Sequence, residues 1–474
     1  MLSRKVNLDE LGEGSEDKFS AFNPRYALES KAKVNRIPKY EFPLTEMEPR
    51  IAYQRIHDEL SLDGNPFLNL ASFVHTWMEP EADKLMMENI SKNIIDVFEY
   101  PQTDKVIHSK LVNMIGRLFN GHGSDFVGTA TVGSSEAIML GLLAHKWTWR
   151  QSRQKAGKPT DKPNIVFGED AHVCWDKFAR YFDVVPRKVP INRETLAIDV
   201  NKVGDSIDEN TICVGGIVGT TFTGAIDPIE EINKLLIDIK EVKGWDIPIH
   251  IDAASGGFIL PFTKPKFKWD FRLEQVKSIN VSGHKYGMTY AGLGWLIFKD
   301  KKDLPEDLIF RVNYLGEEEE TYTLNFSRGS ATVVAQYYNI LRFGMPGYTR
   351  IMENVLKVAQ NLAGMLKTLG RFEIINDGNT LPIIAFKQAK PANYSLRQLS
   401  HKIREKGWIV PAYCLPNDAS DIEIMRVVVR ENFTNDMAQF LANDIDSACK
   451  ILDESGVIEK DKPCKAKKHM YNIC

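Results

Sequence analysis

Between residues 164 and 298 short apolar runs alternate with amphipathic stretches, and this alternation constrains the fold more than any other feature. The runs at 164–168, 212–218, 249–251, 279–281 and 294–298 read as buried strands. Residues 228–243 lie between two of them, with Ile229, Ile232, Leu235, Leu236 and Ile239 at helical spacing. Buried strands joined by helical crossovers predict an α/β fold with a largely parallel central sheet covered on both faces. Ligands of such sheets gather at the carboxyl ends of strands. Thr221, Asp252 and Lys285 all follow predicted strand ends. Upstream, Leu85, Met86, Ile90, Ile94, Ile95 and Phe98 predict a helix over 83–98.

Beyond residue 346 the order changes to a helix over 349–369, strands near 372–375 and 382–386, a helix over 395–406, a strand over 422–429 and a helix over 435–452. This predicts a smaller C-terminal α+β domain at 347–455 after a large domain at 61–346. Residues 1–60, interrupted by Gly12, Gly14, Pro24 and Pro38, read as an N-terminal arm, and 456–474 as a short basic tail.

Lys285 follows His284 in the polar turn that ends Ser278-Ile279-Asn280-Val281-Ser282-Gly283. A lysine held partly out of water among polar groups is driven to its neutral, nucleophilic form and can form an imine with a carbonyl cofactor. A lone lysine is more often a solvated surface residue, so the weight falls on Asp252, 33 positions upstream. An imine-forming lysine paired with an aspartate for a pyridinium nitrogen is what pyridoxal 5'-phosphate requires, although an aspartate at a strand end also suits a turn cap. Ala254 is small enough to lie under the cofactor ring. Ser134 and Ser135 follow Gly133 at the start of an apolar-periodic stretch. Free N–H groups, hydroxyls and a helix dipole would cradle a phosphate there; the same residues also make an ordinary N-cap. His172, just after the strand at 164–168, is placed either to stack on the ring's other face or to serve structure alone. Arg426, a charge inside a strand-like run, needs an anion, whether a substrate carboxylate or an internal Asp or Glu.

With 474 residues, 43% hydrophobic, 26% charged and a net charge of −3, the chain offers no case for binding nucleic acid or a membrane surface. No apolar run approaches a membrane span, and the N-terminus lacks the apolar core of a signal peptide. The six cysteines have no C-x-x-C spacing, so reduced thiols in a cytoplasmic protein fit better than a disulfide framework or a metal site.

Taken together and in order, these residues resemble the glutamate decarboxylases of bacterial and plant type. The likeness also runs through Asp58-Glu-Leu-Ser-Leu-Asp-Gly-Asn65, Asn69-Leu-Ala-Ser-Phe-Val74, Lys92-Asn-Ile-Ile-Asp96 and Val132-Gly-Ser-Ser-Glu-Ala137. It continues in His250-Ile-Asp-Ala-Ala-Ser-Gly-Gly-Phe258, Ser282-Gly-His-Lys-Tyr-Gly287, Asn325-Phe-Ser-Arg328 and Ala335-Gln-Tyr-Tyr338, and covers roughly residues 40 to 452. The resemblance implies fold-type I of the pyridoxal phosphate enzymes, the aspartate-aminotransferase-like architecture, and α-decarboxylation of L-glutamate to γ-aminobutyrate. It gives Lys285 the cofactor's aldehyde, with His284 beside the phosphate. Asp252 takes the pyridine nitrogen, and Ser134, Ser135 and Ser282 the phosphate. Thr221 hydrogen-bonds near the phenolic or carboxylate-side substituents. Ser327 reaches the phosphate of the neighbouring subunit, so the implied sites are shared across a homodimer, with a hexamer as a further assembly. Ser72, Phe73, Asn93 and Asp96 go to the distal carboxylate of glutamate and Arg426 to its α-carboxylate. Asp96 beside a substrate carboxylate is a like-charge pair that must share a proton, so activity is expected to fall as pH rises toward neutral. A decarboxylase of another amino acid such as aspartate, and a scaffold that keeps only the fold, are the alternatives.

The sequence departs from the family pattern in three places. His172 stands where bacterial and plant members have glutamine, Ser72 where bacterial members have threonine, and Glu317-Glu318-Glu319-Glu320 where the family has a mostly uncharged loop. That acidic run is expected to be a solvated turn. The tail carries His469, but it is too short and too poor in apolar anchors for a calmodulin-binding helix.

Overall fold

The computed structural model describes residues 40–122, 126–313 and 318–455. The basic tail with His469, Glu317 and most of the expected arm lie outside these residues. The described end of the arm contains a helix, Pro49–Leu60, where no regular structure was expected. This helix belongs to a separate N-terminal unit that ends at Asp63.

From Gly64 onward the chain is built on two sheets. The larger contains β1 (Val127–Thr131), β2 (Asn164–Gly168), β3 (Val185–Val189), β4 (Thr211–Ile217), β5 (Ile249–Asp252), β6 (Val276–Ser282) and β7 (Gly294–Phe298). Its order is β1-β7-β6-β5-β4-β2-β3. The neighbours β3/β2, β2/β4, β4/β5 and β5/β6 are parallel, and β7 runs against both β6 and β1. This is the expected largely parallel sheet. β2, β4, β5 and β7 are buried along their whole length, which is why they read as continuous apolar runs rather than alternating ones. The helices Ser134–Lys155 and Ile229–Lys243 each bury an apolar side.

A short hairpin, β8 (Phe310–Asn313) with β9 (Glu318–Thr321), holds the end of the acidic run. Glu320 pairs with Arg311 at 3.0 Å, so a strand replaces part of the expected turn. The second sheet contains β10 (Phe372–Asp377), β11 (Ile383–Gln388), β12 (Ala412–Cys414) and β13 (Glu423–Val428), all antiparallel in the order β10-β11-β13-β12. The helix before it runs from Ala331 to Thr368, longer than the expected 349–369, and bends at Gly344, whose φ of 52° is non-helical.

The helix expected over 83–98 is instead Pro80–Asn89. Beyond it Asn93 bridges Gly329, and the Ile94 N–H donates to the Arg328 carbonyl at 2.9 Å. Pairing with a distant segment outcompetes the helical period there. Cys174, Cys213 and Cys449 are free and buried, but Cys414 is disulfide-bonded, against the expectation of reduced thiols throughout. No described helix is long and apolar enough to cross a membrane.

Candidate active site

The carboxyl ends of β4, β5 and β6 and the start of the helix Ser134–Lys155 surround a cavity of about 300 Å³. It is lined by Ser134, Ser135, His172, Thr221, Asp252, Ala254, Ser282, His284 and Lys285. All the residues expected around the cofactor therefore meet in one place, apart from Ser327.

Lys285 sits on a turn between β6 and β7, closed by Lys285 N–H to Ser282 O (3.3 Å) and Met288 N–H to Lys285 O (3.1 Å). The turn ends on Met288 at φ 62°, a left-handed conformation unusual for a methionine. Side chains from the helix Ala331–Thr368 hold it there. Gln336 Nε2 donates to the Gly287 carbonyl at 3.0 Å, Tyr348 Oη to the same oxygen at 3.1 Å, and Asn339 Nδ2 to Met288 O at 2.7 Å. Lys285 Nζ reaches Ser255 Oγ at 3.4 Å and lies 5.0 Å from the centre of the Phe73 ring. Among these supports only Gln336 stood in a stretch singled out from the sequence, and nothing there tied it to the lysine.

Asp252 is buried. Its Oδ1 accepts from Asn280 Nδ2 (3.0 Å) and the Ala254 N–H (3.1 Å), and its Oδ2 from Trp175 Nε1 (3.3 Å). A carboxylate has about four acceptor positions, so Oδ2 keeps one for a donor in the cavity. Ser134 Oγ and Ser282 Oγ are 2.7 Å apart at the other end, where a 22-residue helix begins. An N–H-rich helix start opposite a carboxylate, with a lysine between, fits a molecule that carries a phosphate, an aldehyde and a protonated ring nitrogen.

His172 caps the helix Val173–Tyr181, its Nδ1 accepting the Cys174 N–H at 3.3 Å. Burial, reinforced by Lys285, lowers its pKa and favours a neutral ring fixed by the cap. His284 Nδ1 likewise accepts the Leu293 N–H at 3.2 Å, and burial, then Lys285, pull its pKa down to about 4. Asp170 also lines the cavity and was missed from the sequence; both its carboxyl oxygens are buried with no hydrogen-bond partner among the described residues.

The residues expected to hold substrate fall into two groups. Arg426 is 2% exposed. It donates to the carbonyls of Thr221 and, at 2.5 Å, Ala71, and lies between Phe73 (4.9 Å) and Tyr413 (5.7 Å). Its Nε has no hydrogen-bond partner, and no carboxylate pairs with it among the described residues. Of the two anions left open for it, the internal one is therefore absent there. Ser72 Oγ accepts the Val74 N–H at 3.1 Å, shaping the turn that carries Phe73. Asn93 and Asp96 lie elsewhere. Asn93 Nδ2 reaches Asp96 Oδ1 at 3.3 Å and Ser327 Oγ at 3.5 Å, and Asn93 Oδ1 accepts the Arg328 N–H at 3.0 Å. None of Asn93, Asp96 and Ser327 lines the lysine's cavity.

The sequence profile described as "Pyridoxal-dependent decarboxylase conserved domain" matches residues 38–389. A glutamate decarboxylase of Solanum lycopersicum is 47% identical over 457 residues, covering 96% of this chain and 89% of the relative. A glutamate decarboxylase of Lactococcus lactis (strain IL1403) is 43% identical over 457 residues, covering 95% of this chain and 97% of the relative. Among solved structures, Lactobacillus brevis glutamate decarboxylase superposes with a TM-score of 0.87 at 41% identity, covering 90% of this chain and 98% of that one. A Burkholderia pseudomallei sphingosine-1-phosphate lyase shares the fold alone, with a TM-score of 0.75 at 19% identity over 91% of this chain and 96% of that one.

Proposed function

The chain belongs to the pyridoxal-dependent decarboxylase family, and on that footing we propose that it is a glutamate decarboxylase converting L-glutamate to γ-aminobutyrate and carbon dioxide. The observation that carries the substrate class is Arg426, a buried guanidinium without a carboxylate of its own. A buried cation in that state favours an anionic ligand strongly. The family and the glutamate decarboxylases over 40% identical to this chain narrow that ligand to glutamate.

Bound in the cavity, pyridoxal phosphate supplies an electron sink for the pair of electrons left when carbon dioxide departs. Lys285 would hold the cofactor through its side-chain amine, and the same amine would be placed to carry the proton that replaces the carboxylate at the α-carbon. Asp252 receives the ring N–H on its spare acceptor position. Ser134, Ser135 and Ser282 take the phosphate, with His284 beside it, and His172 and Ala254 bound the two ring faces. Thr221 contributes near the ring substituents. Arg426 orients the α-carboxylate, and Phe73, between Lys285 and Arg426, keeps water from the reacting bond.

Asn93 and Asp96 are proposed to serve the distal carboxylate from a neighbouring copy, together with Ser327 at the phosphate. Their mutual contacts, and their absence from the lining of their own chain's cavity, support a homodimer with shared sites. Ser72 would then meet the same carboxylate from the lysine's side. The test is proton NMR of purified protein with pyridoxal phosphate and L-glutamate at mildly acid pH, with L-aspartate and Lys285→Ala in parallel. γ-Aminobutyrate from the wild type alone is expected. Bound cofactor without product from glutamate would overturn the substrate assignment.

A further inference from the structure

We propose that His250 is a positioning residue that, through Asn280, fixes the Asp252 carboxylate for the cofactor's ring nitrogen. The proposal rests on the reading of Asp252 as that nitrogen's partner and extends it into the sheet behind the cavity.

Five buried side chains form an unbroken row there. His145 Nε2 meets Ser278 Oγ at 2.7 Å, and Ser278 Oγ meets His250 Nδ1 at 2.6 Å. His250 Nε2 meets Asn280 Oδ1 at 2.9 Å, and Asn280 Nδ2 donates to Asp252 Oδ1 at 3.0 Å. None of the five is more than 6% exposed. The row follows from strand geometry. His250 and Asp252 are two apart on β5, Ser278 and Asn280 two apart on β6, so each pair shares a face. The parallel register sets His250 beside Ser278 and Asp252 beside Asn280, and His145 descends from the helix above.

The direction of every proton in the row is determined. The carboxylate only accepts, so Asn280 must turn its amide nitrogen to Asp252 and its oxygen to His250. That oxygen only accepts, so His250 must carry its proton on Nε2. Burial pulls the pKa of His250 down to about 4 and that of His145 to about 3, so both rings are neutral at working pH. His250 Nδ1 is then bare and accepts the Ser278 hydroxyl proton, and Ser278 Oγ in turn accepts from His145 Nε2. Every donor points toward Asp252, and a single tautomer of His250 closes the row. Without that N–H, the Asn280 amide is free to turn its oxygen against the carboxylate.

The surroundings reserve the place of the ring. A Cβ on Gly141 would stand 2.7 Å from His250 Cε1 and 2.8 Å from Nδ1, so this helix position leaves the imidazole its room. Trp175 meets the His250 ring edge-on at 5.8 Å while its indole N–H holds the other Asp252 oxygen.

The test compares the affinity of the apo-protein for pyridoxal phosphate with that for 1-deazapyridoxal phosphate, in which C–H replaces the ring nitrogen, by tryptophan fluorescence titration. The ratio isolates the contact at that nitrogen. Hydrogen bonds to charged groups predict a wild-type preference for pyridoxal phosphate of about tenfold or more. In His250→Leu and Asn280→Leu the ratio should fall to within about threefold of unity, whereas His250→Gln, which keeps an N–H for Asn280, should retain most of it. A ratio unchanged in His250→Leu, even with a lowered melting temperature, would make the row structural and overturn the proposal. Should His250→Leu fail to fold, Gly141→Ala, which presses on the ring from outside, gives the same reading: a reduced ratio supports the proposal and an unchanged one overturns it. A wild type without preference sinks the Asp252 assignment itself, which separates that failure from failure of the row.

Discussion

The wall that faces Lys285 and the patch that holds Asn93, Asp96 and Ser327 are built in different ways. The wall is finished within one chain. Strand ends and a helix start converge on it, the lysine's turn is held by Gln336, Asn339 and Tyr348, and the Asp252 carboxylate has three internal donors. In the patch, a loop after the helix Pro80–Asn89 meets the segment before the helix Ala331–Thr368, and Asn93, Asp96 and Ser327 bond to one another outside the lining of the lysine's cavity. Chemistry common to the family needs fixed geometry, and a single folded core supplies it. On the proposed reading, selection of the distal carboxylate waits on a second copy.

The largest effect that tests this division belongs to the wall. Lys285→Ala should abolish γ-aminobutyrate formation and turn a cofactor retained on dialysis into one that is lost, since both the covalent attachment and the resident amine disappear. A variant that still turns over would remove the lysine from the chemistry.

Next comes the patch. Asp96→Ala should keep its cofactor through dialysis yet lose about 100-fold or more in kcat/KM for glutamate, as expected when a positioning contact to a reactant is removed. Mixing it with Lys285→Ala under conditions of subunit exchange tests the sharing directly. In a symmetric dimer each mixed pair contains one site with both residues intact, so recovery of about a quarter of wild-type activity is expected. No recovery, with exchange demonstrated by mass, would return Asp96 to its own chain's site.

The two regions also differed in how far the sequence disclosed them. The strands at 164–168 and 294–298 lie where the apolar runs put them, because burial on both faces writes itself into composition. The carboxyl ends of β5 and β6 then carry Asp252 and Lys285 to one cavity. The helix expected beyond Asn89 does not form because Ile90, Ile94 and Ile95 keep helical spacing while the backbone of Lys92, Asn93 and Ile94 pairs with a segment more than 230 residues away. Periodicity contains no term for such a partner. The row behind Asp252 left a trace, since His250, Ser278 and Asn280 interrupt apolar runs. Only the register of β5 on β6 shows that these interruptions face one another.

A smaller effect should separate the two regions by pH. Asp170, in the wall, is buried beside Asp227. Burial, then the Asp227 charge, raise its pKa well above the 3.8 of an unfolded aspartate. Burial raises Asp227 as well, to about 6. The native state therefore binds more protons than the unfolded chain between about pH 4 and 6 or above, and these groups lose stability for the fold as pH rises through that window. Asp170→Asn removes the cost of ionising a buried, unpartnered carboxyl. The melting temperature of the apo-protein at pH 7.5 should rise by about 2–4 °C, with the gain shrinking toward pH 4. A fall at pH 7.5 would mean that the ionised carboxylate is wanted there.

The smallest effect expected concerns His172, which belongs to the wall by position. Its ring is neutral and fixed by accepting the Cys174 N–H, so exchanging it for another neutral polar side chain changes shape and capping but not charge. His172→Gln should cost about 0.5–1 kcal/mol of apo-protein stability through the weaker cap. With charge and cavity preserved, kcat/KM for glutamate should stay within about threefold, a change of under about 0.7 kcal/mol in transition-state binding. The bound cofactor's visible band should shift slightly as its ring meets an amide in place of an imidazole. A loss of about 100-fold would instead require the imidazole to take part in proton transfer. That outcome would place a chemical role on His172, and the wall could no longer be treated as the constant half of the site.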